Sequence, residues 1–82
     1  MHSDFNDARS YEEKVLDQGG MLTVREASGM LGLSRSQIYK LMDTGEIAYA
    51  QLGGTRRIPR LELVKYLRAN MVKLDTANEG ET

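Results

Sequence analysis

The chain has 82 residues and no cysteine, so it forms a single small domain with neither disulfides nor thiolate metal sites to support it. A core of this size buries only around 60% of the unfolded chain's surface, and packing must supply the stability. A lone histidine, His2, beside the N-terminus cannot assemble a histidine metal site or a catalytic triad, and it reads as a surface residue. No apolar run approaches the roughly 18 residues of a membrane span, and MHSDFNDARS is too polar for a signal peptide. We therefore expect a soluble protein, compatible with a reducing cytoplasm, with no membrane partner.

The net charge of −1 conceals a strong asymmetry. Residues 1–20 carry −3, residues 21–70 carry +4 and residues 71–82 carry −2. A basic domain between acidic ends suits a polyanionic partner better than the total suggests.

Residues 1–9 lack apolar periodicity and are expected to fray. Ser10 and Glu13 have the spacing of a capping box, and Tyr11, Val15 and Leu16 give a short apolar stripe that Gln18-Gly19-Gly20 brings to an end. This short helix reads first as a lid over the domain and second as a dimerisation or partner-binding element. Met21-Leu22 is an extended entry. Thr23 with Glu26 caps a helix over residues 24–31 whose Val24, Ala27 and Leu31 face inward. Gly29 within it costs roughly 1 kcal/mol relative to Ala, which a solvent-facing site tolerates.

Gly32-Leu33-Ser34 separates that helix from the next. Ser34 and Gln37 form a third capping box, so a helix starts at Arg35 and ends at Thr44-Gly45. Ile38, Leu41 and Met42 fall on one side of it, whereas Arg35, Ser36, Tyr39 and Lys40 fall on the other with Gln37 at the flank. Two short helices at this separation have the spacing of a helix-turn-helix. Residues 47–52 and 56–58 then read as strands around a Gly53-Gly54-Thr55 tip, with Pro59 keeping the second strand short. Leu63, Val64, Leu67, Met71 and Leu74 recur at helical spacing over about 60–72, giving the largest apolar face in the chain. The polar, acidic DTANEGET that follows reads as a disordered tail.

The expected fold is therefore mainly α with a small β-hairpin (α+β), a winged helix-turn-helix. We divide the chain into an acidic extension over residues 1–20, a DNA-binding domain over 21–72 and a tail over 73–82. Residues 21–70 also resemble the excisionase-type DNA-binding family, related to the MerR-like winged helix. The resemblance rests on Leu22-Thr23-Val24 with Glu26-Ala27, on Leu31-Gly32-Leu33-Ser34-Arg35-Ser36 at the turn, and on Tyr39. It continues in Gly45-Glu46-Ile47, in Gly53 with Arg56-Arg57-Ile58, and in Pro59-Arg60 with Glu62-Leu63. Ser28, where a second alanine is usual, and Leu61, where a polar residue often precedes the acidic one, depart from the pattern. The acidic N-terminal extension is not something the family requires.

Family members bind DNA without catalysis. Many come from phages or mobile elements, bending an attachment site so that a recombinase runs excision, and others regulate transcription. The resemblance thus implies duplex DNA, an integrase or recombinase, and self-association on DNA as partners, in a nucleoid-associated cytoplasmic protein of a bacterial host. The residues themselves reach double-stranded DNA binding and no further.

On the second helix, Arg35 can contact guanine or phosphate, Ser36 and Gln37 can read base edges or phosphate, and Tyr39 and Lys40 can reach the backbone, with Ser34 at the helix start. Asp43 on the same face confines the approach to the first two turns. At the hairpin, Gly53, Gly54 and Thr55 let the backbone approach closely, while Arg56 and Arg57 suit a narrow minor groove or phosphates. Thr23 and Arg25 can hold a phosphate at the first helix's start, whereas Arg60, Lys65 and Arg68 read as solvated charges. No phosphate loop or catalytic constellation is present, since Gly53-Gly54-Thr55 lacks the Gly-Lys-Ser/Thr that would follow. We expect no enzyme, cofactor, metal or small-molecule substrate. A transcription regulator of the same fold and a protein-interaction adaptor without DNA binding are the alternatives.

Overall fold

The computed structural model describes residues 9–72. Along the chain run α1 (Tyr11–Asp17), β1 (Met21–Leu22), α2 (Val24–Leu31), α3 (Arg35–Asp43), β2 (Ala50–Leu52), β3 (Thr55–Pro59) and α4 (Arg60–Asn70). The architecture is an α+β winged helix-turn-helix, with the strands in the antiparallel order β1-β3-β2. Among the described residues no helix is long and apolar enough to cross a membrane. The frayed segment expected before Arg9 falls mainly outside these residues, as do His2, Leu74 and the expected tail.

Local sequence sets the start of three helices. At each of α1, α2 and α3 a hydroxyl accepts from the amide three residues on, while the side chain there accepts from the cap's own amide. The pairs are Ser10 with Glu13, Thr23 with Glu26, and Ser34 with Gln37. Two otherwise orphaned donors are satisfied in each case, which contributes on the order of 1 kcal/mol per helix. Past the end of α3, Gly45 N–H donates to Met42 and Glu46 N–H to Leu41, the paired bonds of a Schellman turn. Ser28 proves to have a role in the turn: its hydroxyl donates to the Leu33 carbonyl while Leu33 N–H donates back to the Ser28 carbonyl. The departure from alanine thus braces the angle between α2 and α3.

The core is one cluster: Val24 and Ala27 of α2, Ile38 and Met42 of α3, Ile47, Ile58 of β3 and Leu63 of α4. Ala27 is fully buried where α2 and α3 cross, and its small side chain lets the helices approach. Leu22, Leu31, Leu33, Leu41 and Tyr66 pack around the cluster. Val15, which is buried apart from it, anchors α1 over the outer side of the sheet.

Three sequence expectations change. Ile47 is fully buried yet belongs to the loop before β2, which starts only at Ala50, because the core needs its side chain but no neighbouring strand is available there. Pro59 does not shorten β3, which is the longest strand. Met21 faces Pro59 in the ladder, and the flanking bond runs from Arg60 N–H to the Gly20 carbonyl, so the missing proline N–H falls where none is used. The last helix ends at Asn70, and only its first half is apolar on the inside: Leu63 is buried, whereas Leu67 and Met71 face solvent because the small core ends before them.

Candidate nucleic-acid interface

Helix α3 is held from behind by Ile38 and Met42, both buried, so the opposite side is presented outward by default. Arg35, Ser36, Gln37, Tyr39 and Lys40 are all exposed there. The first turn is already organised by its cap. Gln37 Oε1 accepts from Ser34 N–H at 2.8 Å, and Ser34 Oγ lies 3.2 Å from Ser36 Oγ. The cap uses one acceptor site of the Gln37 carbonyl oxygen, so the amide NH2 is the freer group for an outward contact. Arg35 has no such commitment among the described residues.

The hairpin tip is a two-residue turn. Gly53 and Gly54 have φ of 58° and 84°, both positive as the twist-matched type I′ turn demands, and Thr55 Oγ1 closes it by donating to the Leu52 carbonyl. Side chains alternate along the strands behind it. Leu22, Ile58, Arg56 and Gln51 fall on the inner side of the sheet, and Met21, Pro59, Arg57, Ala50, Thr55 and Leu52 on the outer side. Arg56 and Arg57 therefore point to opposite sides of the wing.

Arg56 turns toward α3. Its Nη1 lies 3.0 Å from Asp43 Oδ1, and its guanidinium stacks over the rings of Tyr39 and Tyr49 at 5.3 Å and 4.7 Å from their centroids. Wing and helix are thereby tied together, and Asp43 is neutralised instead of facing a phosphate. Arg57 is half-buried, with Nη1 donating to the Arg56 carbonyl at 3.1 Å. Between α3 and the wing runs a polar groove of about 380 Å³ lined by Val24, Tyr39, Gln51, Gly54, Thr55, Arg56 and Arg57.

At the start of α2, Thr23 is half-buried, with both its amide and its hydroxyl engaged by Glu26, while Arg25 is exposed. Arg60, Lys65 and Arg68 stand on α4 and outside that groove. Sequence reasoning missed Tyr49, Gln51 and Asp43 as parts of this constellation. The spacing of Tyr39 and Asp43, four residues apart on one helical face, was a usable signal for those two. Gln51 reaches the groove, and Tyr49 the Arg56 guanidinium, only through tertiary folding that local spacing does not show.

A known family model, described as "Helix-turn-helix domain", matches residues 21–71. The chain belongs to that family. In Saccharopolyspora erythraea, a protein named "Probable excisionase" is 46% identical to this one over 46 residues, which is 56% of this chain and 47% of that relative. The matched part thus spans about half the length of the relative. No solved structure gives a significant match. Together these findings make residues 21–71 a helix-turn-helix module of DNA-binding type, similar over 46 residues to a protein named as a probable excisionase.

Proposed function

We propose that this helix-turn-helix protein binds a specific duplex DNA site with α3 in the major groove and the wing tip in the adjacent minor groove, and that it acts as an excisionase. The single observation that carries the DNA-binding mode is the Arg56 tie, which presents α3 and the Gly53-Gly54 tip as one rigid, basic grip. Arg35 and Ser36, with the amide of Gln37, are the proposed base readers. Arg25, Lys40, Arg57 and the backbone around Ser34 and Thr55 are the proposed phosphate and sugar contacts, with Thr23 positioning the start of α2. Arg56 positions the wing more than it touches DNA.

The excisionase role is supported by the 46% identity to the Saccharopolyspora protein named "Probable excisionase". In this reading the protein bends an attachment site and directs a recombinase toward excision. Bending a site of 20–30 base pairs costs on the order of 1–6 kcal/mol, more than one small module with few contacts readily offsets, so several copies bind together. The proposed organisation is an acidic extension over 1–20, the DNA-binding domain over 21–72 and an acidic tail, in a bacterial cytoplasm close to the nucleoid. A transcription regulator with the same grip is the second reading, because the groove and α3 serve either task equally.

Circular permutation of a bound duplex tests the bending. We expect mobility to depend on the position of the site, and expect Gly54→Val, which strains the left-handed backbone of the tip, to abolish that dependence. Position-independent mobility with tight binding would favour the regulator.

A further inference from the structure

The side-chain donors lining the groove between α3 and the wing divide into those already engaged and those left open. Thr55 Oγ1 donates to the Leu52 carbonyl at 2.9 Å, Arg56 Nη1 to Asp43 Oδ1 at 3.0 Å, and Arg57 Nη1 to the Arg56 carbonyl at 3.1 Å. Tyr39 and Gln51 line the same groove and are exposed, and among the described residues neither the phenol hydroxyl nor the Gln51 side-chain amide makes a hydrogen bond. Two uncharged donors therefore stand open in a groove whose cations are partly engaged.

One arginine brings the two together. Gln51 faces Arg56 across the β2–β3 ladder on the inner side of the sheet, and the Arg56 guanidinium lies 5.3 Å from the centre of the Tyr39 ring. Opposed residues on an antiparallel pair have Cβ atoms about 4.5–5.5 Å apart, so Gln51 and Tyr39 are both neighbours of the same side chain. Because Asp43 and the two tyrosine rings hold that side chain, its position fixes theirs.

We propose that Gln51 and Tyr39 together hold one phosphate of the DNA strand that separates the major groove from the minor groove. The inference rests on the reading that α3 and the wing tip occupy adjacent grooves. A single sugar–phosphate strand divides two such grooves, so with α3 in one and the tip in the other it must cross the space that they enclose. Phosphate oxygens accept and never donate. The Tyr39 hydroxyl offers one hydrogen and the Gln51 amide two, which matches that need, whereas the Thr55 hydroxyl has spent its own on Leu52. Neither donor is charged, so the contact adds affinity without displacing a counterion, and it sets the register of the duplex between helix and wing without reading bases.

Salt titrations of the unaltered chain, Tyr39→Phe, Gln51→Ala and Gln51→Lys on a duplex carrying a site selected from a random pool test the contact. Tyr39→Phe keeps the ring beneath Arg56 and loses only the hydroxyl. It and Gln51→Ala should each weaken binding about tenfold at every salt concentration, with the log–log slope unchanged. Gln51→Lys, which puts a cation on the same phosphate, should steepen the slope by about 0.9. Duplexes in which one phosphate at a time is replaced by an uncharged methylphosphonate then locate the contact. At one position the replacement should weaken the unaltered chain more than it weakens the Tyr39→Phe/Gln51→Ala double variant. Equal sensitivity of the two proteins at every position would overturn the proposal, as would a Gln51→Ala loss that varies with base sequence, which would make Gln51 a base reader. Variants that bind like the unaltered chain would overturn this contact alone, whereas failure of the unaltered chain to bind DNA would overturn the DNA-binding reading and this contact with it.

Discussion

Arg56 and Asp43 form an ion pair at 3.0 Å that joins the wing to the recognition helix, with the rings of Tyr39 and Tyr49 against the same guanidinium. An exposed ion pair contributes roughly 0.2–1 kcal/mol and each cation–π contact about 0.5–1 kcal/mol. Replacing Arg56 by Ala should therefore lower stability by about 1–3 kcal/mol. An Arg56→Ala/Asp43→Asn cycle should show coupling of at least about 0.5 kcal/mol in chemical denaturation. A coupling of zero would show that the two side chains act independently in solution.

The same tie predicts different behaviour of the two wing arginines on DNA. Arg57→Gln should reduce the salt dependence of binding by about 0.9 in log–log slope, the loss of one phosphate contact. Arg56→Gln should weaken binding about tenfold through wing geometry and leave the slope unchanged. Equal slope changes in both variants, measured by fluorescence anisotropy, would make Arg56 a phosphate contact.

For base reading, Arg35→Ala should relax preference at one position of the site by roughly 1–3 kcal/mol if its fork meets guanine. The check is a comparison of affinities for single-base variants of the site. A uniform loss across all of them would assign Arg35 to phosphate.

The capping boxes, the glycine tip and the inward faces of α2 and α3 were legible because each is written within a few neighbouring residues. Ser34 and Gln37, for example, need only their own turn to satisfy each other. What escaped was non-local. Met21-Leu22 becomes a strand only because β3 returns beside it, and Pro59 is tolerated only because of that pairing's register. Arg56 looked like a free cation beside a glycine turn, and its three partners lie on α3 and the loop before β2. The second half of α4 keeps a helical apolar stripe, and periodicity alone cannot say whether anything covers it.

The docking of α1 carries a pH signature. Tyr11 donates to Glu62 Oε2, and Lys65 Nζ lies 5.4 Å from the centre of its ring. Desolvation, followed by the hydrogen bond to Glu62 and the charges of Glu62 and Glu12, pushes the Tyr11 hydroxyl from its ordinary 10.0 up to about 12. The folded state therefore keeps this proton longer than the unfolded chain does. The resulting stabilisation is intact below about pH 10 and is lost as pH rises through about 12. Phenolate absorbance should show one of the 4 tyrosines titrating late, and Tyr11→Phe should remove that step. If the phenolate lost in the variant is instead one that titrates near pH 10, Tyr11 is not held by Glu62 in solution.

The central claim is that α3 and the wing grip duplex DNA through a small number of cations, and titration of a mixed-sequence duplex across salt tests it most directly. With Arg56 held by Asp43 and Arg35 assigned to base reading, the proposed cationic phosphate contacts are Arg25, Lys40 and Arg57, and about three contacts predict a log–log slope near −2.7. A flat, weak response across the same salt range would contradict the account and leave the protein-interaction reading in its place.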